Sequence, residues 1–147
     1  MPGIICAIRG GPHSQPTIQE AIQLAKETGI PIYFLYVVNM DFLQWTQHSR
    51  LQTVKQEMSE MGEFILLTAQ VTAEREGVTA HGVVREGAVS EEIVRLGQEV
   101  KADYVILGRP QKHTRENVLH PESMDKFSQQ IEEETGAKVV FPSEGNS

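Results

Sequence analysis

The chain has a single cysteine, no excess of basic residues, and no apolar run approaching the ~20 residues needed to cross a bilayer. Each scarcity excludes something. Cys6 alone cannot close an internal disulfide, which fits a reducing compartment and a buried, inert thiol. A formal charge of -7 argues against a general nucleic-acid binder, because neutralising phosphates requires a basic face. Met1 to Ile8 has neither a basic opening nor a long apolar stretch, so no signal peptide and no membrane association are expected, and the cytoplasm is the expected location. The five histidines, His13, His48, His81, His113 and His120, lack zinc-ligand spacing, and no metal site is expected. No Gly-x-Ser-x-Gly elbow, Walker lysine motif or Gly-x-Gly-x-x-Gly fingerprint occurs, and no nucleophile–base pair is visible, so no catalytic residue is assigned.

What is present is a regular alternation. The length of 147 residues suits one domain with a real core, and residues 142–147 are expected to form a disordered tail. Gly3 to Ile8 reads as a first strand that stops at Arg9-Gly10-Gly11-Pro12. Ser14 reads as an N-cap, Ile18, Ala21, Ile22 and Ala25 repeat at helical spacing, and Gly29 supplies a left-handed stop. Pro31 to Val38 is apolar almost throughout, as in a strand covered on both faces.

A long helix is expected from about Arg50 to Glu76, with Leu51, Val54, Met58, Met61, Ile65, Thr68 and Thr72 on its inner face and Gly77 as its stop. Met58 and Met61 read as gap-filling core. Val78 to Val84 is mixed in polarity and is placed at the sheet edge. Ser90 is expected to cap the next helix, with Glu91 and Glu92 in its first turn and Ile93, Leu96, Gly97 and Val100 facing inward. Asp103 to Leu107 forms a fourth strand, Pro121 to Thr135 a helix with Met124, Phe127 and Ile131 inward, and Ala137 to Phe141 a fifth strand after Gly136. Strands alternating with helices imply an α/β fold: a five-stranded parallel sheet of order 3-2-1-4-5, helices on both faces, Rossmann-like.

Such sheets bind ligands beyond the carboxyl ends of their strands, where the strand order reverses. Here the reversal falls between strands one and four, and the two most unusual loops follow those strands. Gly10 and Gly11 permit close approach to backbone, and the helix opening at Ser14 offers free N–H groups. Arg109 to His120 sets Arg109, Lys112 and Arg115 against the lone acid Glu116. A cationic loop in an acidic protein points to an anionic ligand, most simply a phosphate; solvated loop charges near Glu116 and Glu122 are the plain alternative.

Over Gly3 to Phe141 the chain resembles the universal stress protein family. Ile4-Ile5-Cys6-Ala7-Ile8 followed by Gly10 and His13-Ser14 is similar to the family's opening strand and turn. Residues 21–38, AIQLAKETGIPIYFLYVV, resemble its first helix and second strand. Arg85-Glu86-Gly87 before Glu91-Glu92-Ile93, then Ala102 to Gly108, resembles its most recognisable segment. Two features depart from the ATP-binding members. Arg9 stands where they carry an aspartate. The glycine-rich loop that starts at Gly108 continues through Gln111, Pro121 and Glu122, with Ser123 one step beyond, so only the first glycine is kept.

The resemblance implies a non-enzymatic stress-response module with no obligatory cofactor, and with ATP, AMP or another phosphate compound as candidate ligand. Arg9, Gly10, Gly11, Ser14, Val37, Gly108, Arg109, Lys112 and Ser123 are the implied contacts, Val37 lending its backbone to the base. It also implies a homodimer through the C-terminal strand, Lys138 to Phe141. Two alternatives stand beside it: a pure protein-interaction module whose basic loop meets an acidic protein partner, and an adenylating enzyme. The latter rests on a faint likeness of Arg9-Gly10-Gly11-Pro12-His13-Ser14 to the Ser-Gly-Gly-x-Asp-Ser loop of ATP pyrophosphatases.

Overall fold

Residues 3–9, 14–38, 48–108 and 121–142 are described by the computed structural model, with the side chains of 48–52 and 121–125 left aside. In chain order the elements are β1 (Ile4–Ala7), α1 (Gln15–Thr28), β2 (Ile32–Val38), α2 (His48–Arg75), β3 (Ala80–Glu86), α3 (Val89–Val100), β4 (Tyr104–Ile106), α4 (Pro121–Thr135) and β5 (Lys138–Val140). The strands form one sheet in the order β3-β2-β1-β4-β5, and every adjacent pair is parallel. That is the expected topology.

Alternate side chains of a strand leave opposite faces of the sheet, and both faces are covered here. Ile4, Cys6, Ile32, Phe34 and Ile106 pack with Ile18 and Ile22 of α1 and with Leu66, Ala69 and Ala73 of α2. Ile5, Leu35 and Val105 pack on the other face with Ile93 and Leu96 of α3 and Ile131 of α4. Phe34, Ile5, Ile93 and Ile131 have no exposed surface. Burying each such side chain contributes about 1.5–3 kcal/mol, so these two apolar layers hold the sheet in place.

Helix ends follow the sequence more closely than helix starts. Gly29, Gly77 and Gly136 adopt φ of +74°, +80° and +79°, the left-handed stops expected of them. Ser14 does occupy the N-cap of α1, but in a helical conformation and without a capping hydrogen bond from its side chain. Ser90 is not the cap of α3. Ala88 takes that place with extended geometry, and Ser90 lies in the first turn beside Glu91 and Glu92. The end of α3 needs no glycine either, since Lys101 itself turns left-handed at φ +54°.

The inner face of α2 differs from the expected one. Gly62, Leu66, Ala69 and Ala73 are buried, whereas Met61 is 56% exposed and Thr68 is also outside. Met58 is partly buried against the core, so the two methionines do not act as a pair. Close approach is the reason. A Cβ on Gly62 would stand 2.4 Å from the Tyr36 ring, so small residues bring α2 close to β2, with Leu66 buried and Met58 and the expected Ile65 packed at the side. β3 begins two residues later than expected, at Ala80, and sits at the sheet edge as anticipated. Pro142 is buried, so the packed chain extends one residue into the expected tail.

Candidate functional site

α1 and α2 cover one face of the sheet and α3 and α4 the other, so the chain changes direction after β3 and returns to pair β4 with β1. The crevice of a doubly wound sheet opens at this point, beyond the carboxyl ends of β1 and β4. In register Ile4 stands beside Tyr104 and Cys6 beside Ile106. Both strands therefore end at nearly the same level.

Two contacts fix the roots of the flanking loops. The Cys6 Sγ donates to the Thr17 carbonyl at 3.7 Å, tying the end of β1 to the first turn of α1. Gly108, two residues past β4, lies against the same turn, since a Cβ there would stand 3.1 Å from Thr17 Oγ1. The start of the basic segment and the start of α1 thus share one rim. Thr17, only 3% exposed, is the hinge of this arrangement. It was not singled out from the sequence, where a threonine in a first helical turn looks like any polar residue; its three-residue spacing from Ser14 was the available signal.

Among the expected contacts, Arg9 is exposed just past the end of β1, Ser14 is buried at the α1 N-cap, and Gly108 is exposed. Val37 is half-buried in β2. The Pro31 carbonyl accepts from Ile4 N–H and the Leu35 carbonyl from Ile8 N–H, so carbonyls of odd-numbered β2 residues turn toward β1. By the same alternation Val37 presents its carbonyl on the crevice side, past the last paired β1 residue. Gly10, Gly11, Arg109 and Lys112 lie outside the described residues. Ser123 belongs to the first turn of α4, and its side chain likewise lies outside them.

The electrostatics of the rim favour an anion. α1 carries no acid in its first turn, so nothing there offsets the partial positive charge of its N-terminus. α3 does carry Glu91 and Glu92 in that position. Glu92 is 3% exposed and accepts from Arg95 at 2.7 Å, while Arg85 binds both carboxylate oxygens of Glu99 at 2.8 and 3.0 Å. Those bonds hold the Glu99 carboxyl below its ordinary range and the Arg85 guanidinium above its own. Burial pushes the Cys6 thiol far up, which keeps it from acting as a nucleophile. Among the described residues no group of three or more His, Cys, Asp or Glu side chains could hold a metal ion, and no helix is long and apolar enough to cross a membrane.

A cavity of about 390 Å³ lies at the opposite rim, lined by Lys26, Gly29, Pro31, Gly77 and Thr79 among others. The carboxyl ends of α1 and α2 face it, and their partial negative charge disfavours an anion there. The crevice, not this cavity, matches the chemistry of the loops.

The profile of the universal stress protein family matches residues 2–129. The chain belongs to the universal stress protein family. It is 28% identical over 117 residues to the universal stress protein MJ0531 of Methanocaldococcus jannaschii, covering 79% of this chain and 69% of that one. Among solved structures, a universal stress family protein from Burkholderia pseudomallei superposes with a TM-score of 0.70 at 20% identity, covering 96% of both chains. A universal stress protein in complex with cAMP superposes with a TM-score of 0.67 at 18% identity, covering 95% of this chain and 94% of that one. These structures share the fold that the topology shows, a Rossmann-like sheet with helices on both faces.

Proposed function

We propose that this universal stress protein is a ligand-responsive, non-catalytic homodimer that holds an adenine mononucleotide, AMP or a cyclic relative, across the β1/β4 crevice. The observation that carries the reading is the contact of Gly108 with Thr17, which roots the basic segment beside the acid-free first turn of α1. In the proposed pose Gly10, Gly11 and the α1 N-terminus meet a phosphate, Arg9, Arg109 and Lys112 supply charge, and Val37 receives the base. The cAMP complex of a family member supports an adenine ligand on this fold. A mononucleotide is preferred to ATP because Gln111 and Pro121 replace glycines that a wrapped triphosphate uses.

Calorimetric titration of the dialysed protein with ATP, AMP and cAMP tests this. Saturable binding of a mononucleotide is expected, with Arg109→Ala/Lys112→Ala weakening it ~10-fold or more, since a charged hydrogen bond contributes ~1.5–3 kcal/mol. Absence of saturable binding by any of the three overturns it. A second reading, an interaction module without nucleotide, is favoured by Arg9 in place of the family's aspartate. It gains if the double variant keeps nucleotide affinity but loses a protein partner. Release of pyrophosphate from ATP would instead mark an adenylating enzyme.

A further inference from the structure

The outward face of α2 carries an apolar stripe that the fold leaves uncovered. Met61 is 56%, Phe64 70%, Leu67 58% and Val71 39% exposed. Their spacing of three, three and four residues aligns them along one side of the helix, opposite the buried Leu66, Ala69 and Ala73. An aromatic ring with most of its surface in water, in line with three more apolar side chains, is the pattern of a contact surface rather than scattered exposure.

Charge singles out the occupant. Each apolar residue of the stripe has an exposed acid one helical turn away: Glu57 before Met61, Glu60 before Phe64, Glu63 before Leu67 and Glu74 after Val71. None of these four carboxylates is in an ion pair among the described residues. The basic residues from 53 to 75 are Lys55, which pairs with Glu86 of β3, and Arg75 at the end of the helix. A second copy of α2 laid along the stripe would set carboxylates against carboxylates. The stripe is also short, about 15 Å from Met61 to Val71 by helical rise, the length of a single helix contact, whereas a stable dimer buries ~800 Å² per partner.

We infer that α2 is a docking face for one basic amphipathic helix of a partner protein, its apolar residues seated on Phe64 and Leu67 and its lysines or arginines reaching Glu57, Glu60, Glu63 and Glu74. The packing is that of a short coiled-coil seam, in which flanking charges choose the partner. This surface goes beyond the nucleotide crevice and operates whether or not the crevice is filled.

The probe is a fluorescent synthetic helix of about three heptads with leucine on its apolar seam and lysine on both flanks, beside a twin with glutamate for lysine. By anisotropy the lysine helix is expected to bind the full chain saturably and more weakly as salt rises, and the glutamate twin not to bind. Phe64→Ser/Leu67→Ser should weaken binding at least ~10-fold, as expected when two large apolar contacts are lost. Glu60→Lys/Glu63→Lys, which keeps the apolar stripe, should reverse the preference toward the glutamate twin. All substitutions lie on an exposed face, and circular dichroism verifies that each variant is folded. Equal binding by Phe64→Ser/Leu67→Ser overturns the inference, because overall acidity would then account for the affinity. A concentration-dependent dimer that disappears in Phe64→Ser also overturns it, in favour of a second copy as occupant.

Discussion

The Glu132 carboxylate accepts the backbone N–H of Val139 at 2.9 Å, so a side chain of α4 occupies a donor on the open edge of β5. Lys138 N–H is given to the Asp103 carbonyl and the Val140 carbonyl accepts from Leu107, both toward β4; Val139 between them turns outward. An exposed edge strand invites another strand, and a local carboxylate blunts that invitation. If the proposed homodimer forms through this strand, Glu132 competes with it. Glu132→Ala is expected to tighten self-association about 2–10-fold, the worth of one modest hydrogen bond, in sedimentation velocity over a concentration series. Unchanged or weaker association would place the dimer contact elsewhere.

Gly62→Ala tests the close approach of α2 to β2. The added methyl would meet the Tyr36 ring at 2.4 Å, forcing the ring or the helix outward. Overpacking of this kind costs about 1–3 kcal/mol, despite alanine's better helix propensity. Urea unfolding should show the midpoint falling with the slope unchanged.

Lys101→Gly should act in the opposite direction. Lys101 holds φ +54° where α3 ends, and its N-terminal neighbours need only a residue that tolerates that geometry. Glycine does so without steric cost, so a gain of roughly 0.5–1 kcal/mol is expected after allowing for its freer unfolded chain. Thermal unfolding measures it, and a lower midpoint would show that the lysine side chain contributes more than its backbone costs.

The Arg85–Glu99 pair gives a pH dependence with a definite sign. Glu99 is held below its ordinary range by the Arg85 hydrogen bonds, so the folded state favours the carboxylate. Its contribution is complete above the unfolded pKa and fades as pH falls through the lowered folded one. The stability difference between the natural protein and Glu99→Gln should therefore be present at neutral pH and vanish in strong acid. Denaturant titrations at both pH values verify this; a difference that persists in acid would assign it to packing.

The strand order was legible because apolar runs alternate with amphipathic helices, a pattern that a parallel sheet with two covered faces demands. Gly29, Gly77 and Gly136 marked helix ends for a local reason, their freedom at positive φ. The face of α2 is legible in part: helical spacing finds Met58 and Ile65, which pack against the core, but not the turn of the helix that buries Gly62, Leu66, Ala69 and Ala73, because that depends on how closely the helix approaches Tyr36 of β2. Ser90 misled for a related reason: a capping residue type says nothing about whether extended backbone already begins at Ala88. Of the crevice, the pairing of β1 with β4 and the places of Ser14 and Gly108 followed from topology. Thr17 acts through Gly108, distant in sequence, and Glu132 through Val139 across the turn from α4 to β5; neither pairing follows from helical or strand periodicity.

The sheet divides the apolar interior into two layers that scarcely meet, one beneath α1 and α2, the other beneath α3 and α4. Mechanically the protein is two half-shells glued to one board. They come together at the carboxyl ends of β1 and β4, where Leu107 lies in the second layer and its neighbour Gly108 lies against Thr17 of α1 in the first. A ligand held at that seam, as proposed, would touch both shells, and its departure would be felt by both rather than by one loop.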